Sequence, residues 1–172
     1  LSGLDDAWSL EFLSEDEIIY TEMPGKLKIA NLIDGSITQI KNVPKVQYSS
    51  QGGLSEVVLD PDFASNNMIY LSYSARNSDR KSTLYLMSAV LNKDSLENKK
   101  VIFEAKAPRR IPVHLGAKIA FLDDGTILLA SGDGFDHREK AQTLDNHFGK
   151  IIRINKDAVS YTHLTLPTIL LV

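Results

Sequence analysis

Residues 118–131 read Lys118-Ile-Ala-Phe-Leu-Asp-Asp-Gly-Thr-Ile-Leu-Leu-Ala-Ser131. Two short apolar runs rich in β-branched and aromatic residues flank an Asp-Asp-Gly turn, which predicts two antiparallel strands joined by a tight connection. The same order occurs twice earlier in the chain, where residues 8–13 lead into residues 15–22 and residues 54–60 lead into residues 67–73. The chain therefore repeats one unit made of a strand, an acidic turn and a second strand.

The spacing of the repeats indicates the architecture. Equivalent positions are 47 residues apart from Leu10 to Val57 and 62 residues apart from Val57 to Ile119. A four-stranded β-propeller blade takes about 40–50 residues, so these spacings predict about three blades with an insertion in the second. An antiparallel β-sandwich with chance internal similarity is the alternative.

The remaining apolar segments are also strand-like, and no long segment carries an apolar stripe with a helical period. Turn residues such as Pro-Gly, Asp-Gly and Asp-Pro-Asp separate them. The fold class expected is therefore all-β, with helix as a minor component. Strands are predicted at residues 9–13, 17–22, 26–31, 56–59, 68–73, 82–91, 118–122, 126–131 and 150–155.

Composition excludes several classes of function. The 172 residues carry 19 Lys and Arg against 22 Asp and Glu, a net charge of −3, so no basic excess points to nucleic acid. Cysteine is absent, which excludes disulfides, thiolate metal sites and a cysteine nucleophile. No apolar run approaches the ~20 residues of a membrane-spanning helix. Nucleophile-elbow, zinc-protease and dinucleotide-binding motifs are missing as well.

The two ends of the chain differ in character from the region between them. The first residues contain Asp5 and Asp6 and show no secretory signal, so we expect that a signal has been removed or lies upstream. Residues 160–172 carry no charge and resemble a tail on translated metagenomic fragments in which adapter DNA has been read as protein. We therefore expect a partial propeller domain at residues 1–159 and a non-native tail at residues 160–172, and His163 is left out of the functional argument.

Eight short motifs follow one another along the chain. They are Trp8-Ser-Leu-Glu-Phe-Leu13, Thr21-Glu22-x-Pro24-Gly25-x-Leu27, Gln51-Gly-Gly-Leu54, Leu59-Asp-Pro-Asp-Phe63, Tyr70-Leu-Ser-Tyr73, His114-x-Gly116, Gly132-Asp133 and Gly149-Lys-Ile-Ile-Arg-Ile154. In this order they resemble the soluble PQQ-dependent sugar dehydrogenases, the aldose or glucose/sorbosone dehydrogenase family. The resemblance covers about residues 8–157 and implies a six-bladed β-propeller parent, with about the first three blades present here. It also implies pyrroloquinoline quinone and calcium as cofactors, with most of their ligands outside this chain.

Three residues carry the expected chemistry. By the resemblance, His114 is the base that takes the proton of the sugar's anomeric hydroxyl, and imidazole chemistry suits proton transfer near neutral pH. Asp133, 19 residues later, matches the carboxylate that orients this histidine, although Gly-Asp-Gly is also an ordinary turn. Gln51 matches a contact to cofactor or sugar, and the glycines after it allow a close backbone approach. Residues 109–113, Arg-Arg-Ile-Pro-Val, depart from the family's usual Gly- and Asn-rich stretch.

The other polar groups suggest less. Residues 133–145 are rich in carboxylates, but Phe135 and His137 stand where a calcium-binding loop needs oxygen ligands, so no metal ligand is predicted. His147 is expected to pack or to cap the ring mouth, and Trp8 and Phe12 are expected in a blade core.

The resemblance implies a parent protein that oxidises an aldose sugar and passes electrons to an acceptor in the periplasm or outside the cell, while this chain alone is expected to be inactive. A non-enzymatic propeller that binds protein or carbohydrate, or a calcium-dependent lactonase propeller, is the alternative.

Overall fold

The computed structural model describes residues 2–156 and residues 164–166, and for the last three the backbone alone. The described chain forms three four-stranded antiparallel sheets in succession. The first sheet contains β1 (Ala7–Phe12), β2 (Glu17–Glu22), β3 (Lys26–Asn31) and β4 (Ile37–Gln39). The second contains β5 (Leu54–Leu59), β6 (Met68–Arg76), β7 (Ser82–Asn92) and β8 (Ser95–Glu104). The third contains β9 (Gly116–Phe121), β10 (Ile127–Ser131), β11 (Lys150–Ile154) and β12 (Leu164–Leu166).

Each sheet is a meander in which consecutive strands pair, as in a propeller blade. Within the part of the chain that the structure describes, helical structure is limited to α1 (Phe63–Asn66) and one 3-10 turn (Arg138–Gln142). The all-β prediction and the partial propeller are confirmed. The second repeat is longer because its strands are longer: β6, β7 and β8 have 9, 11 and 10 residues.

The blades are joined through their first strands, because β1 contacts β5 and β5 contacts β9. Polar side chains bridge these contacts: Thr21 Oγ1 donates to the carbonyl of Ser55 (2.6 Å), and Glu56 Oε2 accepts the Ile119 N–H (2.6 Å). Such bonds satisfy buried groups between sheets, where apolar contacts alone would leave them unpaired.

The hydrophobic core lies between neighbouring sheets. One cluster joins the first and second blades around Ile19, Leu27 and Leu71, and another joins the second and third around Leu86 and Ile127. All five of these side chains are fully buried. Removing such a side chain from water contributes about 1.5–3 kcal/mol, so each blade stabilises the next.

Two strands of the first two blades were not predicted from the sequence. β4 is short and exposed. Most residues of β8 are polar, and only two of its residues, Leu96 and Phe103, are buried. Both are the outermost strands of their blades, where a strand is held mainly by its backbone hydrogen bonds to one neighbour.

The expectation that Trp8 and Phe12 lie in a blade core is wrong. Their exposed fractions are 60% and 62%, and Leu10 between them is 53% exposed. Alternate residues of a strand share one face, so these three side chains form a single apolar face of β1, which we call the β1 face. The described residues leave this face uncovered.

The segment 160–172 contributes backbone structure through β12, whose Leu166 pairs with Ile151 of β11. The other residues of the segment, including His163, lie outside the described part of the chain. Over the described residues no helix has the length and hydropathy needed to cross a membrane.

Candidate functional site

The candidate site is assembled where the β9–β10 hairpin begins and ends. Gly116 of β9 pairs with Ser131 of β10, so the residues just before β9 and just after β10 are brought together. His114 precedes this pair and Asp133 follows it. The Gly132 N–H donates to the Leu115 carbonyl (2.8 Å), which extends the ladder to the two side chains.

His114 and Asp133 form a hydrogen-bonded pair. The Nδ1 atom of His114 lies 2.8 Å from Oδ1 of Asp133, and the two side chains are 41% and 31% exposed. The pair is therefore partly shielded but open to a ligand. The sequence predicted these two residues, and the structure brings them into direct contact.

The protonation of Asp133 decides which way this bond runs. The Phe135 N–H donates to Asp133 Oδ1 (2.9 Å), and this bond lowers the pKa of Asp133 below its ordinary value. Burial opposes that change, while His114 and Arg138 add to it. An ionised carboxylate can only accept hydrogen bonds, so Nδ1 of a neutral His114 carries the proton. Nε2 then carries the lone pair and can act as a base.

Gln51 contacts the histidine through the backbone. Its Oε1 accepts the His114 N–H at 2.8 Å, and its own N–H donates to the Pro112 carbonyl (3.1 Å). His114 has a φ of 46°, a left-handed backbone conformation that a side-chain-bearing residue rarely adopts. The Gln51 oxygen thus stabilises a strained backbone at the site, a contact that the sequence did not predict.

The glycines around the site allow close packing of the chain. A Cβ on Gly132 would lie 1.9 Å from the His114 carbonyl oxygen, so only glycine fits there. A Cβ on Gly52 would lie 2.5 Å from both Pro112 Cβ and Ser74 Oγ. Gly52 therefore allows the chain after Gln51 to pack directly against Pro112 and Ser74.

Phe135 covers one edge of the histidine. Its ring meets the His114 ring at 89° with 5.3 Å between centroids, and the Arg138 guanidinium lies 4.5 Å from the Phe135 centroid. Phe135 also has a left-handed φ of 63° and is 50% exposed. Phe135 thus packs edge-on against the imidazole of His114 and helps to fix its orientation, a role that the sequence did not predict.

Arg109 lies beneath this arrangement and is only 1% exposed. Its Nη2 donates to the Gly132 carbonyl at 3.2 Å, and its guanidinium carbon lies 5.3 Å from the Phe148 ring centroid. The Nε and Nη1 atoms are buried without a hydrogen-bond partner in the described chain. Burial lowers the pKa of Arg109 to about 10, and the nearby Asp133 carboxylate opposes that change.

These residues border a cleft of about 550 Å³, a volume in the range of small-molecule sites. Its wall combines donors and cations with apolar surface. The lining residues include Gln51, Arg109, Arg110, His114 and Phe135.

The other polar candidates stay apart from the chemistry. His147 is buried, accepts the Lys106 N–H on Nδ1 (2.8 Å) and packs against Phe103, as expected for a packing residue. Asp145 accepts bonds from Thr143 and Asn146 in its own loop. Among the described residues no three His, Asp or Glu side chains converge as metal ligands.

A family model described as Glucose / Sorbosone dehydrogenase matches residues 4–162. Aldose sugar dehydrogenase YliI of Escherichia coli K12 is 31% identical over 154 residues, covering 88% of this chain and 41% of that protein. The chain thus spans less than half the length of the curated relatives it matches.

Solved structures agree in fold. A crystal structure of a glucose dehydrogenase superposes with a TM-score of 0.84 at 35% identity, covering 90% of this chain and 45% of that one. The PQQ-bound aldose sugar dehydrogenase of Streptomyces coelicolor superposes with a TM-score of 0.77 at 24% identity, covering 90% of this chain and 46% of that one.

Proposed function

Because the chain belongs to the glucose/sorbosone dehydrogenase family, we propose that the whole protein oxidises an aldose sugar at its anomeric carbon with pyrroloquinoline quinone (PQQ) as cofactor. The observation that carries the proposal is the His114–Asp133 pair at 2.8 Å on the wall of the cleft. Two of the relatives, the aldose sugar dehydrogenase of Escherichia coli and the solved glucose dehydrogenase, are named for sugar oxidation, and the pair offers a base of the kind that such an oxidation needs.

In this proposal His114 Nε2 removes the proton of the anomeric hydroxyl. Asp133 holds the Nδ1 proton and stabilises the imidazolium that forms, as a carboxylate does for a histidine base in other enzymes. Loss of the hydroxyl proton and of the hydrogen on the anomeric carbon as hydride converts the cyclic sugar to a lactone. PQQ, when bound, supplies the acceptor for the hydride and its two electrons.

The residues of the cleft fit such a cofactor. PQQ is a flat polycarboxylate, and its carboxylates need cationic or amide donors. Arg110 is exposed at the cleft, and Gln51 keeps its amide Nε2 donors after its oxygen has bonded to His114. We propose these two side chains as contacts to the cofactor or the sugar, with Gln51 also positioning His114.

Calcium is a separate matter. The described residues offer no set of three acidic or histidine ligands, so they do not fit a calcium ion. We propose that any calcium in the whole protein binds to other residues, and no step above depends on it.

The 172-residue chain by itself is proposed to be inactive, because it spans less than half the length of its curated relatives and most of the cofactor's ligands are expected outside it. We further propose that residues 160–172 are not native. Sequencing the source DNA across codons 150–172 tests this. A reading frame that continues past Asp157 into further blade repeats, in place of residues 160–172, supports it, and a frame that ends with Val172 contradicts it.

The proposed setting is periplasmic or secreted, with a sugar and an electron acceptor as partners. It rests on the family and on the relative from Escherichia coli, and fractionation of a tagged full-length protein would test it.

The main experiment compares the whole protein with its His114→Ala variant in a dye-coupled assay with and without added PQQ. We expect oxidation of aldoses that requires PQQ and falls by about 10²–10⁴-fold in the variant. Equal rates in the two proteins would remove His114 as the base. Lactone formation without dye reduction would point to another reaction class.

A further inference from the structure

A buried guanidinium next to the candidate site has no role in the function proposed above. Arg109 is 1% exposed, and two of its three nitrogens have no hydrogen-bond partner in the described chain. Burying a charge without a full set of partners is unfavourable, and an apolar residue of similar size is often as stable or more stable. The arginine is therefore not explained by the stability of the fold.

The backbone of Arg109 belongs to the second blade. Its N–H and carbonyl exchange hydrogen bonds with the carbonyl and N–H of Ser82 at 2.8 and 2.9 Å, at the beginning of β7. The side chain then crosses to the third blade, where Nη2 donates to the Gly132 carbonyl. The peptide group that accepts this bond is the one that joins Gly132 to Asp133.

The guanidinium of Arg109 also packs closely under the turn at residues 132–134. A Cβ on Gly134 would lie 3.1 Å from Arg109 Nε and 2.9 Å from the Phe148 ring. Arg109 and Phe148 therefore form a floor under residues 132–134. On the other side the turn is held by the Gly132 N–H bond to the Leu115 carbonyl. Asp133 thus stands on a turn that is fixed from both sides.

We propose that Arg109 is a positioning residue, whose bond to the Gly132 carbonyl fixes the turn that directs Asp133 at His114 Nδ1. The inference rests on the roles of His114 and Asp133 in the proposed function. Residues 109–113 depart from the family pattern, and the inference gives one of them, Arg109, a positioning role in the site.

The test replaces Arg109 with methionine, which keeps the length of the side chain but cannot donate a hydrogen bond. Arg76→Met, on an exposed residue at the end of β6, is the matched control for loss of one arginine. The first readout is the tautomer of neutral His114 in the 172-residue chain, from imidazole ¹⁵N chemical shifts assigned with His114→Gln. This readout needs neither cofactor nor activity.

We expect the Nδ1-protonated form to dominate in the unchanged chain and in Arg76→Met, and to lose that dominance in Arg109→Met while the urea midpoint stays equal or rises. In the whole protein, kcat should fall roughly 10- to 100-fold with little change in KM, the effect of a misplaced catalytic group. An unchanged tautomer in a folded Arg109→Met overturns the inference. Loss of folding overturns it as well, because Arg109 would then be a structural residue.

The two proposals fail separately. If the whole protein shows no PQQ-dependent sugar oxidation, the tautomer comparison still decides the role of Arg109. If the oxidation is found and the tautomer does not respond to Arg109→Met, only the role of Arg109 is lost.

Discussion

Nδ1 of His114 lies 2.8 Å from Oδ1 of Asp133, although the two residues are 19 positions apart and neither belongs to a strand. The contact exists because β9 and β10 pair in antiparallel register and both residues extend that pairing beyond its last strand residues. A change to the turn therefore acts on the pair directly, while a change elsewhere in the sheet acts on it only through the register.

Asp133→Asn should reduce kcat by about 10²–10⁴-fold without unfolding the protein. An asparagine amide can donate to Nδ1, so it favours the tautomer whose lone pair faces residue 133 and removes the base from Nε2. Dye-coupled kinetics in the whole protein and near-ultraviolet circular dichroism measure the two effects. A variant with native spectrum and native kcat would contradict the orienting role.

The stability that Asp133 contributes should depend on pH. Its pKa is lowered in the folded chain, first by the Phe135 N–H bond, so its contribution is present above the unfolded pKa of about 3.9 and is lost as pH falls through the folded value. Urea unfolding at pH 7, 5 and 3 should show Asp133→Asn less stable than the unchanged chain at pH 7 and 5, with the gap closing towards pH 3. Asp79→Asn, in an exposed turn, is the control. A gap of constant size would show that the carboxylate charge is not involved.

Gly132→Ala should destabilise the chain by about 3 kcal/mol or more, because the new Cβ would overlap the His114 carbonyl oxygen. Gly35→Ala is the comparison: Gly35 has a φ of +73° but nothing within 4 Å of its Cβ position, so only backbone strain of about 1–2 kcal/mol is expected. Denaturant unfolding of both variants gives the difference. Equal losses would mean that the turn can move away from His114.

Gln51 can be divided into its two roles by two substitutions. Gln51→Glu keeps an oxygen for the His114 N–H but removes the amide donors, so it should raise KM or weaken PQQ binding while kcat changes little. Gln51→Leu removes both, so it should also lower kcat and cost about 0.5–1.5 kcal/mol of stability. Steady-state kinetics with a PQQ titration separates the cases. Identical kinetics in the two variants would leave Gln51 with one role only.

Much of the fold could be predicted because the blades repeat. The apolar runs of β2 and β6 are buried along most of their length, and their alternation with turns is visible in the sequence. β8 could not be found in the same way, because Glu97, Lys99 and Lys100 interrupt its apolar residues and two irregular registers shift its pairing with β7. An outer strand can form through backbone hydrogen bonds to one neighbouring strand, and this requires no apolar pattern in its side chains.

The site was partly predictable for a related reason. His114, Asp133 and Gln51 stand in short motifs that could be recognised, and the structure brings all three together. The roles of Arg109 and Phe135 depend on the burial of the arginine and on the left-handed backbone of the phenylalanine, and no sequence motif predicts either property. A charged residue is expected on the surface, so nothing in the sequence indicates that Arg109 is buried under the turn while its neighbour Arg110 is exposed.

The β1 face contains Trp8, the single tryptophan of the chain. Because its indole is 60% exposed, its fluorescence should be red-shifted and readily quenched by iodide. Any surface that comes to cover β1 would shift the emission to the blue and protect it from the quencher. The chain thus contains an intrinsic optical reporter of whether its first blade has gained a neighbour, readable without any label.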